Sequence, residues 1–444
     1  MQNFDRLTPR SRRPQCWPAA AAHPRKGWLA AALLSAGLLL TPVAQGAELG
    51  ENVQTLLDQA RAQSPELALM RAEADAAAQR VQPAGALPDP ILRVELMNIN
   101  NYGSEAGFNV LPNKVGETKY TLMQSLPAWG KRDLRRGVAQ SDAQQAAART
   151  AGAWTELAAR IKTSYARYYL AASNEKLTRE ILDLMGRVEQ LAQARYAGGL
   201  VAQQDAIRAQ LEQTGMRSEL IMQENEHRQV RARLNALLAR DAAAPLAEPA
   251  ALRPLPPVSM LDAAALAQRA RDNNPQLVAE AARIQSAEKN RELTLRNRYP
   301  DVLVGVFPSQ VGSRITTLGV MVELNIPLQQ ETRRSQEAEA EAMLVAARSK
   351  SEALVNQLVG DLGENLAGLD AARRTEALIA NQSLPQSELS LRSAIAAYEN
   401  GKLDFTALLE AQRQIRKARL DRLKAQVEAQ MRLAEIERIV GEDL

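Results

Sequence analysis

The sequence predicts a mainly α-helical protein with a small transmembrane β part, laid out as two structural repeats that supply four β-strands per chain. Three observations predict this. There is an internal duplication, there are short stretches that alternate apolar and polar residues, and a helical stretch of roughly sixty residues contains no proline.

The chain begins with a segment that stands apart from this plan. Residues 28–40, WLAAALLSAGLLL, follow Arg10, Arg12, Arg13, Arg25 and Lys26 and precede the small-residue stretch TPVAQGAE. That apolar run is too short to span a bilayer as a helix and has the flanks of a secretory signal peptide, so residues 1–47 are read as a leader cleaved near Ala47. Cys16, the single cysteine, lies before the apolar run, where it cannot serve as a lipid-anchor site. Lys and Arg number 55 against 51 Asp and Glu, a net charge of +4, but six of the basic residues and one Asp lie in the leader. The remainder is at −1, which removes the electrostatic case for nucleic-acid binding. With His227 as the one histidine left and aromatics at 4% of the chain, a histidine-based catalytic centre or a His-rich metal site is hard to assemble, and no cofactor is expected.

The duplication rests on four anchors in the same order. ARAQSPELALMRAEADAAAQR at 60–80 resembles ARDNNPQLVAEAARIQSAEKN at 270–290, with Pro65 matching Pro275. Next, LPDPILRVEL matches RYPDVLVGVF through Pro88-Asp89 and Pro300-Asp301, and YTLMQSLP matches VMVELNIP through Pro127 and Pro327. Finally RYAGGLVAQQDAIRAQ matches AYENGKLDFTALLEAQ through Tyr196/Tyr398 and Gly199/Gly401. The repeats are placed at 48–240 and 261–444, joined by a Pro-rich linker at 241–260.

Each repeat reads as helix, strand, loop, strand, long helix, tight turn, helix. The opening helices are expected over about 53–81 and 260–298. In the strands, Leu92, Val94 and Leu96 alternate with Arg93, Glu95 and Met97, and Tyr120, Leu122 and Leu126 alternate with Thr121, Met123 and Ser125. In the second repeat Leu318, Val320, Val322, Leu324 and Ile326 share one face, opposite Gly319, Met321, Glu323 and Asn325. Strands of about ten residues with this alternation fit a transmembrane barrel, and Tyr102, Phe108, Tyr120, Trp129, Tyr299 and Phe307 cluster near them as an interfacial girdle would. From 134 to 196 the apolar positions follow coiled-coil spacing, slipping phase between Tyr168 and Leu177, over a length of about 90 Å. Gly198-Gly199 and Asn400-Gly401 supply the turns, and antiparallel helices return over 201–238 and 403–440. Four strands cannot close a barrel, and an open edge in lipid leaves backbone groups unsatisfied, so several chains must share one; two chains would give eight strands and three would give twelve.

Between strand and helix lies QSLPAWGKR at 124–132. The Gly130-Lys131 pair lacks the upstream glycine and the following Ser or Thr of a phosphate loop. Pro127 instead ends the strand where its missing donor is tolerated, Gly130 permits the bend, and Lys131, Arg132, Arg135 and Arg136 start the helix at the membrane boundary, with Pro327 and Thr332, Arg333 and Arg334 as their counterparts. His227, near Glu224 and Glu226, is read as a structural histidine.

Two repeats of this plan, the Pro that ends each inner strand, and the Tyr-x-x-Gly turns together resemble the TolC-type outer membrane efflux proteins across essentially the whole chain after the leader. LPDPILRVELMNIN and QSLPAWGKR are similar to the outer membrane factors of heavy-metal efflux, of the CusC and CzcC types. The resemblance implies a homotrimer, a 12-stranded barrel in the outer membrane lipid continued by an α-helical, coiled-coil periplasmic barrel, and no catalysis. It also implies a periplasmic adaptor and an inner-membrane pump of the resistance-nodulation-division class as partners. In such proteins the hairpin tips, here Tyr196, Gly199, Tyr398 and Gly401, meet the adaptor, and an acidic ring narrows the pore. The ring positions fall on Ala407 and Glu410; Asp205 of the first repeat corresponds to Ala407 and Asp404 lies nearby, so Asp205, Asp404 and Glu410 are the candidate constriction. The alternatives are a TolC-like channel for drug efflux or type I protein secretion and, from another class, a periplasmic coiled-coil adaptor or scaffold.

Overall fold

The computed structural model describes residues 49–100 and 107–444. The leader and Tyr102 lie outside the described residues. Among them, no helix is long and apolar enough to cross a membrane.

The first half opens with α1 (Val53–Gln63), α2 (Pro65–Gln79) and α3 (Val81–Gly85). These replace the single helix expected over 53–81. Proline at 65 has no N–H to give and forces its predecessor out of the helical region, so Ser64 adopts φ −65°, ψ 120° and caps the new helix by accepting from the Leu67 amide. Strands β1 (Ile91–Met97) and β2 (Glu117–Leu126) follow, then α4 (Lys131–Ala197) and α5 (Gln203–Leu237). Unbroken over 67 residues, α4 is about 100 Å long at 1.5 Å per residue.

The second half repeats the order with α6 (Ala263–Asn273), α7 (Pro275–Arg296), β3 (Val302–Val311), β4 (Arg314–Leu324), α8 (Gln330–Leu378), α9 (Leu384–Glu399) and α10 (Phe405–Val440). Here too the helix expected over 260–298 is broken before a proline: Asn274 is extended, and its side chain accepts from Gln276 and Leu277. A π-helical turn, Ile379–Ser383, separates α8 from α9, so the second outgoing helix is jointed where the first is not. Pro385 explains the joint, because a proline inside a helix clashes with the carbonyl four residues back, which lies within that turn.

The four strands form one antiparallel sheet in the order β1-β2-β3-β4. Its pairing aligns Leu92 with Leu122, Leu122 with Val306, and Val306 with Val320. This apolar row is 65%, 49%, 48% and 75% exposed. On the other face Thr121, Met123 and Gly305 are buried. The sheet is therefore turned inside out relative to a water-soluble one, with its aliphatic face outward. β1 and β4 each leave one edge unpaired.

Residues 241–260 are pinned to the helices rather than hanging between the halves. Ala247 and Ala250 donate to the Leu49 and Glu51 carbonyls, and Tyr165 donates to the Glu51 and Ala251 carbonyls. Burial, with Tyr169, Glu51 and Tyr168 beside it, pushes the Tyr165 hydroxyl up to about 12, so it stays protonated and keeps donating.

Candidate functional site: the helical tip and the strand-to-helix junction

Both helical hairpins close with the same backbone device. Gly199 (φ +71°) and Gly401 (φ +72°) take the left-handed conformation that ends a helix without a Cβ penalty. In each turn the next amide, Leu200 or Lys402, bonds a carbonyl five residues back, Arg195 or Ala397, at 2.9 Å. The side chains then diverge. Tyr196 is 44% exposed, whereas its counterpart Tyr398 is 1% exposed and packs edge-on against Phe405 at 5.8 Å. Arg195, on the other hairpin, lies 4.9 Å above the Tyr398 ring and donates to the Tyr398 carbonyl. Burial raises the Tyr398 pKa and the nearby Asp205 raises it further, with Arg195 opposing. Arg208 donates to Thr406 and Arg413 pairs with Glu212, so the two hairpins are also linked through exposed polar contacts.

The three candidate carboxylates sit in different surroundings. Asp404 is the N-cap of α10, its oxygen accepting from the Ala407 amide at 2.9 Å. Asp205 is half-buried in the first turn of α5, near Tyr398. Glu410 is exposed, accepts from Gln414 at 3.4 Å and lies within electrostatic reach of Arg413. Among the described residues no group of three or more His, Cys, Asp or Glu could hold a metal ion.

At the junction, Pro127 follows β2, and Gly130 adopts φ +82° immediately before α4. Lys131 differs from the sequence expectation. Rather than standing with its basic neighbours at the boundary, it is 3% exposed, its ammonium donating to Asp301 and to the Tyr299 carbonyl, both at 2.8 Å. Asp301 also accepts from the Ala128 amide at 2.7 Å. Burial alone would raise the Asp301 pKa, but the hydrogen bonds from Lys131 and Ala128 outweigh it and hold the carboxyl below its ordinary value. The clip therefore contributes in full above the unfolded carboxylate value of about 3.9 and is lost only as pH falls through the lower folded value. Lys131 was missed as a structural clip because its partner, Asp301, lies in the other repeat. Pro327 occupies the corresponding place after β4.

His227 bonds Glu175 of α4 at 2.6 Å and lies against Tyr168, with ring centres 5.1 Å apart, so its partner is across the hairpin rather than Glu224 or Glu226.

The pattern of the family described as outer membrane efflux protein matches residues 56–240 and 266–442. The chain is similar to the cobalt-zinc-cadmium resistance protein CzcC of Cupriavidus metallidurans, 25% identical over 319 residues that cover 70% of this chain and 74% of that protein. Among solved structures it is similar in fold to the outer membrane protein VceC of Vibrio cholerae, at a TM-score of 0.75 and 18% identity over 88% of this chain and 96% of that one. CusC gives 0.72 and 14% over 88% and 92%. The adaptor or scaffold alternative is overturned by the family match, whose two segments span both halves and both hairpins; the chain belongs to the outer membrane efflux protein family.

Proposed function

We propose that this protein is the outer membrane component of a tripartite efflux system for heavy-metal cations, working as a homotrimer with a periplasmic adaptor and an inner-membrane pump of the resistance-nodulation-division class. As a family member it is an outer membrane channel with a periplasmic helical part, a passive conduit rather than an enzyme. The observation that carries the trimer is the sheet: an aliphatic face turned outward and two free edges on only four strands require neighbouring copies, and three copies complete a 12-stranded barrel. The metal reading is supported by the similarity to CzcC. Removal of the protein from its host is expected to lower tolerance to cobalt, zinc and cadmium, with recovery on re-expression. Unchanged metal tolerance together with lost drug tolerance would favour the drug-efflux alternative.

The tip turns are the adaptor-facing end in this reading, with Tyr196 and the glycine turns presented outward and Tyr398 acting from inside as their anchor. Glu410 is the strongest constriction candidate, since it is exposed and not engaged in a cap; Asp404 precedes it on the same hairpin and Asp205 belongs to the first repeat. A carboxylate ring favours entering cations. Asp205→Ala with Glu410→Ala is expected to reduce the cation preference of single channels in planar bilayers, and an unchanged reversal potential in a salt gradient would refute the ring.

A further inference from the structure

β1 and β4 present free backbone edges at opposite sides of the sheet. We propose that β4 of one copy pairs with β1 of the next in a fixed register that sets Glu323 directly opposite the neighbouring copy's Arg93. This deepens the shared-barrel reading and rests on it.

The register follows from a seam the chain already contains. Between β2 and β3, Leu126 pairs with Val302, which brings Pro127 level with Asp301. There Asp301 receives the Ala128 amide and the Lys131 ammonium. The second repeat carries Pro327 in place of Pro127, and the first carries Asp89 in place of Asp301. Setting Pro327 level with the neighbour's Asp89 reproduces the internal seam at the free edges. Counting up the antiparallel pair, Leu324, Val322 and Val320 then meet Leu92, Val94 and Leu96, so apolar residues on the outward face meet apolar residues. On the opposite face Glu323 meets Arg93.

That last pairing was not used to set the register, and it is the independent support for it. Arg93 and Glu323 are both exposed, and among the described residues neither side chain has a hydrogen bond or ion pair. A slip of two residues, the smallest that keeps each face on its own side, gives poorer pairs. In one direction Glu323 faces Glu95, a like-charge pair. In the other it faces Ile91, while Arg93 faces Met321. Opposite charges directly across a sheet stabilise the pair and like charges oppose it, so the charges select one register among the three. The same alignment carries the exposed Asp89 to the start of the neighbour's α8, where Arg334 is exposed and within electrostatic reach of Glu337.

The test uses the full chain in outer membranes. Its only native cysteine, Cys16, lies in the predicted leader. Directly opposed strand residues are close enough for a disulfide, whereas pairs two residues out of register are not. The double variant Arg93→Cys with Glu323→Cys is expected to give dimer and trimer bands after mild oxidation that collapse to monomer with reductant, and Glu95→Cys with Glu323→Cys is expected to give little. As a second measurement, Arg93→Glu is expected to lower the temperature at which the unheated trimer dissociates, and adding Glu323→Arg is expected to restore it. An intact trimer that cross-links through Glu95→Cys instead, or through neither pair, overturns the register. Absence of any trimer in the unsubstituted protein would overturn the shared barrel itself.

Discussion

Replacing Val320 with Arg is expected to remove the protein from the outer membrane, whereas the same replacement at Met321 is expected to leave it there. Val320 is 75% exposed and ends the apolar row that runs through Val306, Leu122 and Leu92. In water an exposed strand position would accept Arg at almost no cost. Facing lipid near the middle of a barrel strand, Arg costs about 2–4 kcal/mol per copy, and copies that share a barrel multiply the penalty. Met321 points to the other face, where polar residues such as Glu323 and Arg93 already stand. The measurement is membrane fractionation of both variants with total expression held equal. Equal recovery of the two in the outer membrane would mean that the exposed aliphatic face does not meet lipid.

The second large effect is expected far from the sheet, where both halves are locked by buried charge. Lys162 on α4 and Glu437 on α10 pair at 2.7 Å with side chains 5% and 3% exposed. Glu437 also accepts from Nη2 and Nη1 of Arg253, at 3.0 and 3.1 Å, and from the Leu444 amide at 3.2 Å, while Lys162 reaches Asp443 as well. First long helix, linker and last helix therefore converge on one carboxylate. Glu437→Ala leaves the Lys162 ammonium in a desolvated site with only Asp443, and is expected to destabilise the fold by about 3–5 kcal/mol. Replacing Lys162 and Glu437 together by Met is expected to lose much less, because no uncompensated charge then stays buried. Thermal unfolding followed by helical circular dichroism measures both. A loss below about 1 kcal/mol for Glu437→Ala would show that water or a rearranged side chain reaches the site.

The strand faces and the glycine turns were legible in the sequence because each depends on local rules. Alternation at Leu318, Val320, Val322 and Leu324 reports the face directly, and Gly199 and Gly401 mark positive φ. Family membership was legible too, through the repeated Pro and Tyr-x-x-Gly signals. The helix breaks at Ser64 and Asn274 had a signal in Pro65 and Pro275, but the proline pair was read as evidence of duplication rather than as two helix starts. The joint before Pro385 had a signal of the same kind. What local rules could not supply was partnership across the repeats. Lys131 finds Asp301, Arg195 finds Tyr398, and Lys162 finds Glu437, each in the other repeat. The divergence between exposed Tyr196 and buried Tyr398 has in part the same origin: their turns are alike, but Tyr398 gains Phe405 on its own hairpin and Arg195 from the other.

In the proposed shared barrel, four strands per chain become membrane-stable only by closing with other copies. The most direct measurement of that closure is the mass of the protein extracted from outer membranes in mild detergent, by native mass spectrometry, alongside gel migration with and without boiling. A species of three chains that survives without heating and dissociates to one chain on boiling is expected. A single-chain species recovered in the soluble periplasmic fraction would contradict it.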